Sequence, residues 1–213
     1  TNTFAPGDTV TGTEGKTAYT LSVSDSSGRP ASGLSVEVYA EMDMGTMVHS
    51  TPVGPVTDNG DGTYSCEVYY LMASMNNMNW TLTVTVDGET HSFTPNVTMA
   101  MGDTRKQTLK NQDDTYDMNG MQTVRSYYLF NEEVTADRFR VFTAAREMMK
   151  SHPAVYPGKS LNMGAFTISS MTLEVSPDGG STWIPMQEAP AGSGYWEATG
   201  LNLASGSGAT LEV

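Results

Sequence analysis

Trp80-Thr81-Leu82-Thr83-Val84-Thr85-Val86 alternates large apolar residues with threonine, and Asp87-Gly88 closes the run. Period-two alternation marks a strand with one buried face, and β-branched threonine suits the solvated side of a pleated surface. The same pattern recurs upstream. Tyr19, Leu21 and Val23 alternate with Thr20 and Ser22, while Val36, Val38, Ala40 and Met42 alternate with Glu37, Tyr39 and Glu41. In Tyr64-Ser65-Cys66-Glu67-Val68-Tyr69-Tyr70, Cys66 shares a face with Val68 and reads as a buried, inert thiol. Ser26-Ser27-Gly28-Arg29-Pro30 and Asp58-Asn59-Gly60-Asp61-Gly62 supply turns between these runs. Short strands separated by turns at about 8–12 residues predict a β-sandwich.

The second half repeats the theme. Val124-Arg125-Ser126-Tyr127-Tyr128-Leu129-Phe130, Arg138-Phe139-Arg140-Val141-Phe142-Thr143, Met171-Thr172-Leu173-Glu174-Val175 and Tyr195-Trp196-Glu197-Ala198 read as strands, and residues 144–150 as a helical turn at most. The fold class expected is all-β, with two immunoglobulin-like antiparallel β-sandwich domains in tandem. Residues 1–100 form a Met-rich sandwich led by an extended arm, the polar stretch 101–120 a linker and lead-in loop, and 121–213 a second sandwich. Trp80, Leu82, Val84, Cys66, Val68, Tyr19 and Leu21 should line the first core; Val141, Leu173, Val175 and Trp196 should line the second. Paired features hint at a loose duplication, among them Gly62-Thr63-Tyr64 and Gly194-Tyr195-Trp196. The last residues, 208–213, read as a strand cut off at the chain end.

Charge excludes several functions. The 213 residues carry a net charge of −13, only 16% are charged, and no basic run exists. Phosphate backbones are bound by clustered Lys and Arg, so nucleic acid is not a partner. No apolar stretch approaches the length of a spanning helix, so no membrane span is expected. Thr1-Asn2-Thr3-Phe4 is not a signal peptide and reads as a mature terminus. A single cysteine precludes an internal disulfide.

Methionine is the compositional anomaly, with fifteen in the chain. They cluster in Met42-Asp43-Met44-Gly45-Thr46-Met47-Val48-His49 and in Met72-Ala73-Ser74-Met75-Asn76-Asn77-Met78. Thioether sulfur is a soft, uncharged ligand that selects Cu(I) over hard ions. Residues two apart on a strand share a face at about 7 Å, close enough for flexible side chains to converge. Met42, Met44, Met47 and His49, with Met72, Met75 and Met78 facing them, are therefore the candidate copper ligands. His152 with Met148 and Met149 forms a second candidate. The competing reading is that the methionines fill irregular core gaps, Met42 above all, since it continues the apolar face of Val36 and Val38.

One ordered series of motifs carries a family resemblance. Gly28, Pro30, Gly33 and Val36, then Met42, Met44 and Gly45, then Asp61, Gly62 and Tyr64, then Met78, Trp80, Leu82 and Val84 resemble the YtkA-like and FixH-like extracytoplasmic domains. Those are small immunoglobulin-like sandwiches related in style to CopC-type copper carriers. The resemblance spans roughly residues 15–90 and implies an extracytoplasmic copper(I)-binding role.

Other motifs are structural. Ser176-Pro177-Asp178-Gly179-Gly180-Ser181-Thr182-Trp183 matches an Asp-box, a self-bonded hairpin with Trp packed beneath it. A single copy cannot build a propeller. Asp58-Asn59-Gly60-Asp61-Gly62 and the acidic stretch 113–120 lack the calcium-loop spacing and read as turns or loops. No nucleophile elbow, zinc motif or phosphate loop occurs, so no enzyme is expected. The alternative to copper handling is a structural subunit of a cell-surface or extracellular filament, a homo-oligomer formed when the N-terminal arm adds as a strand to a neighbour.

Overall fold

The computed structural model describes residues 2–4, 10–75, 78–99, 106–108, 114–118, 121–150, 158, 161–168 and 171–202. Among them are nineteen strands and no helix. The first half contributes β1 (Asn2–Phe4), β2 (Thr11–Thr13), β3 (Gly15–Ser22), β4 (Val36–Asp43), β5 (Met47–Thr51), β6 (Thr57–Asp58), β7 (Thr63–Tyr70), β8 (Thr81–Val86), β9 (Glu89–Phe93) and β10 (Asn96–Thr98). The second contributes β11 (Lys106–Thr108), β12 (Asp114–Met118), β13 (Met121–Val134), β14 (Arg138–Lys150), β15 (Leu161–Thr167), β16 (Glu174–Val175), β17 (Ile184–Pro185), β18 (Gln187–Glu188) and β19 (Tyr195–Thr199). The chain is all-β, built as tandem sandwiches, as the alternation predicts.

In the first sandwich, sheet β1-β3-β7-β6 faces the β5-β4-β8-β9 portion of a larger sheet. Period-two patterning sets the register. Tyr19 pairs with Cys66 and Leu21 with Tyr64 across β3 and β7, and Ala40 pairs with Leu82 across β4 and β8. All seven expected core residues, Tyr19, Leu21, Cys66, Val68, Trp80, Leu82 and Val84, are buried in one cluster. Asp87 and Gly88 adopt φ of 47° and 87°, and β9 pairs back on β8 from Val86↔Glu89. Two positive φ values match the twist of the flanking strands, which is why Asp-Gly sits there.

The second core brings together the expected Val141, Leu173, Val175 and Trp196 with Leu129, Phe139, Met186, Ala198 and Leu201. Its frame is the long β13–β14 hairpin. The far edge of β14 is shared, with β19 pairing along Arg138–Phe142 and β15 along Ala144–Lys150. Gly62 and Gly194 each open a strand that begins on the core aromatic side, with φ of 84° and 82°. A β-carbon at Gly62 would lie 2.5 Å from Pro30 Cβ, and one at Gly194 would lie 3.2 Å from Phe142, so both positions exclude side chains.

The two halves share backbone. β15 pairs in parallel with β5, Leu161↔Met47 through Met163↔His49, so a single eleven-stranded sheet runs through both. A third cluster lies between the halves, where Tyr69 and Leu71 meet Phe130, Phe142, Ala144 and Tyr195. Strand β7 is thus covered on both faces: Tyr64, Cys66, Val68 and Tyr70 point into the first core, and Tyr69 points into the junction.

Several expectations change. Residues 144–150, expected as a helical turn, belong to β14; pairing with β13 and β15 on both edges overrides the helix propensity of Ala, Glu, Met and Lys. Within the stretch expected as linker, β11 and β12 are strands that pair with β13; the other residues of 101–120 lie outside those described. The arm expected to reach a neighbour pairs within its own chain, β1 with β3 and β2 with β10, both in parallel. The Asp-box hairpin forms as expected, with Thr182 N donating to Asp178 Oδ1 at 2.8 Å and Gly180 N to Ser176 Oγ at 2.8 Å. Trp183, however, is 45% exposed rather than packed beneath, because the hairpin closes on its own hydrogen bonds. Residues 208–213 lie outside those described.

Cys66 is 3% exposed, and burial pushes its thiol up to about 12. Folded Cys66 therefore holds its proton where the unfolded thiol has lost it. The resulting stabilisation is full below about pH 8.5 and declines as pH rises toward 12. Thiol reagents should label Cys66 at pH 8 only as fast as the protein unfolds; rapid labelling of the folded protein would refute this packing.

Candidate functional site

The methionines expected to hold copper divide between core and surface. Met42 is fully buried in the first core and faces His49 across the β4–β5 ladder. Met44, Met72 and Met78 are half-buried and pack against the same core. The Met72 carbonyl accepts from Trp80 Nε1 at 3.0 Å. Met75 is 54% exposed, and its backbone exchanges bonds with that of Met78. Met47 is half-buried at the start of β5, where the Met44 amide donates to its carbonyl at 2.8 Å. Met148 and Met149 lie on β14 opposite Met163 and Asn162, while His152 lies outside the described residues.

His49 is buried, 6% exposed, on the strand that joins the two halves. Its Nδ1 faces the Arg146 guanidinium, which also lies 3.5 Å from Met163 Sδ. Arginine only donates, so Nδ1 accepts and the proton sits on Nε2, which has no partner among the described residues. Burial, and then the Arg146 charge, push the imidazole down to about 4. Among the described residues no group of three or more His, Cys, Asp or Glu is placed to hold a metal.

A different cluster, absent from the sequence-based expectations, occupies the junction. Tyr69 of β7 stacks on Phe142 of β14, with centroids 4.1 Å apart and planes within 4°. Its hydroxyl lies 2.8 Å from Glu132 Oε1, 3.0 Å from Glu67 Oε2 and 2.9 Å from the Tyr195 hydroxyl. Lys16 Nζ bonds Glu67 at 2.8 Å and also Glu132, whose side chain is only 3% exposed. Tyr195 donates to Glu67. Glu132 sits at a bulge in β13, where the register shifts between Asn131 and Glu133. An extra residue there bends the strand and re-aims its side chain.

The electrostatics are those of a structural lock. Burial pushes the Lys16 ammonium down, but Glu132 and Glu67 outweigh it and hold Lys16 above its ordinary value. Burial likewise pushes Glu67 up, yet Lys16, Tyr195 and Tyr69 together hold it below the usual carboxylate range. Burial and the adjacent carboxylates push the Tyr69 and Tyr195 phenols far up, so both stay protonated as donors. One signal of this cluster was present in the sequence. Val68-Tyr69-Tyr70-Leu71 breaks alternation, and all four residues are buried, as a strand covered on both faces requires.

With this geometry in hand, comparison with known families bears on the first half. Residues 3–102 match the family model for invasin, domain 3. The match covers just under half of the chain and agrees with the immunoglobulin-like sandwich observed there. It lends no support to the resemblance to YtkA-like, FixH-like or CopC-type domains, which share that general fold. No curated protein matches the chain.

Two outcomes follow from these sites. Folded His49 binds fewer protons than unfolded His49 between about pH 4 and 6.5, so stability declines as pH falls through that window. His49→Gln should flatten that slope in urea melts across this range. At the junction, Tyr69→Ala should cost about 3–5 kcal/mol, because a buried ring and its stack are lost. Tyr69→Phe should cost about 1–3 kcal/mol, the loss of one buried hydroxyl.

Proposed function

We propose that this chain is an adhesion-type segment of a cell-surface or secreted protein, in which two sandwiches act as one stiff body. The observation that carries the reading is the match of residues 3–102 to invasin domain 3. Domains joined only by a linker move independently, whereas a continuous sheet and an apolar seam couple them. Here the β5–β15 ladder and the Tyr69–Phe142 stack supply both. A surface role suits a −13 charge, which keeps such a protein soluble and separate. No helix among the described residues is long and apolar enough to cross a membrane.

A copper-handling role is the second reading, favoured by one observation: Met44, Met72 and Met78, each half-buried, pack against the same cluster. The two readings separate in one set of experiments. Protease added to intact source cells should remove the protein, and protection until lysis would overturn the surface reading. Cu(I) titration of the wild type and of the Met44→Leu/Met47→Leu variant tests the other. Those swaps nearly conserve volume and polarity. Lost uptake with unchanged melting would establish copper binding, whereas identical titrations would remove it.

A further inference from the structure

We propose that the cleft between the two sandwiches binds the carboxylate of a single acidic sugar ring, with Arg140 as its anchor. The cleft has a volume of about 310 Å³ and is walled by Ala18, Ser65 and Glu67 from the first half and Arg140, Ser193 and Tyr195 from the second. It exists only because the halves are locked together.

Arg140 is uncommitted. It stands in register opposite Glu133 on β13 and Glu197 on β19. Both carboxylates bond Arg138 instead, at 2.9 Å and 2.6 Å. Among the described residues the Arg140 side chain has no hydrogen bond or ion pair, and its Nε is buried without a partner. The guanidinium lies over the Tyr195 ring at 4.6 Å. Stacking fixes its plane, and Tyr195 is fixed in turn by its bond to Glu67. Arg140 is only partly buried and lines the cleft, so the rest of its guanidinium faces the space a ligand would fill. An oriented guanidinium with no counter-ion is what a carboxylate needs for two parallel hydrogen bonds.

Charge and size select the ligand. Glu67 in the wall is compensated by Lys16 at 2.8 Å, which leaves Arg140 as the cation available to a ligand in the cleft. With Glu67 beside it, in a protein of net charge −13, a singly charged carboxylate is favoured over a phosphate monoester of higher charge. Ser65 and Ser193 offer hydroxyls for sugar hydroxyls, while Pro55 and Pro190 offer apolar surface for the ring's C–H face. The volume lies at the lower end for small-molecule pockets and suits one ring rather than a chain of them. This inference concerns binding in solution and stands apart from where the protein resides.

The test is an NMR titration of isotopically labelled full chain with glucuronate, glucose and acetate, read at the Arg140 Nε–H and the Ser193 amide. Glucuronate should give saturable shifts at both, with glucose and acetate weaker by about tenfold or more. Arg140→Gln should abolish the glucuronate shifts at Ser193, and Arg140→Lys should weaken binding by about tenfold, since lysine lacks the fork. Acetate matching glucuronate, or glucuronate giving no saturable shift, would overturn the proposal. If Arg140→Gln fails to fold, the wild-type titration at Arg140 Nε–H decides on its own.

Discussion

The structure depends on burying both faces of β7. One face supplies Tyr64, Cys66, Val68 and Tyr70 to the first core, and the other presents Glu67 and Tyr69 to the second half. A strand covered on one side leaves its other face to water, and polar side chains then suffice there. Here the second face carries an aromatic ring, which stacks on Phe142, and a hydroxyl that bonds a buried carboxylate. Each large buried aromatic is worth several kcal/mol when removed, so the two sandwiches stabilise each other through one strand. Sheet continuity from β5 into β15 then fixes the angle at which they meet.

The charged groups of the junction hold together as a set. Lys16 alone would be an unpaired cation in a partly buried setting, and Glu132 alone an unpaired anion at 3% exposure. Removing one member leaves another desolvated and uncompensated, which is why such clusters are costly to break even when their net contribution is modest. The bulge at Glu132 shows that the strand gives up regular pairing to place this carboxylate.

Much of the fold was legible in the sequence. Alternation in Trp80–Val86 and in the Tyr19 and Cys66 strands identified one buried face per strand, and both predicted core sets assemble as expected. Alternation says nothing about which strands of different domains pair, so the parallel β5–β15 ladder was hidden. The helix propensity of residues 144–150 misled because it describes an isolated segment, and β14 is paired on both edges. The methionine cluster stood out by residue type, but type alone does not separate a ligand from a core filler; Met42 is the latter by its burial. Arg140 was invisible for the opposite reason. Only the rival geometry of Arg138 reveals that its two natural counter-ions are already taken.

The β5–β15 junction also sets an order of events during synthesis. Ser50 and the Met163 carbonyl that it bonds are 113 residues apart in sequence. Until β14 emerges Tyr69 lacks the Phe142 ring it stacks on, and until β15 emerges the edge of β5 stays open. The first half is thus, for a time, a sandwich with a bare strand edge beside an apolar patch, the state most prone to mispairing with other chains. Contacts of such long reach also close slowly, because the intervening chain must be confined before they form. A protein made this way gains from rapid export or chaperone cover until its second half arrives.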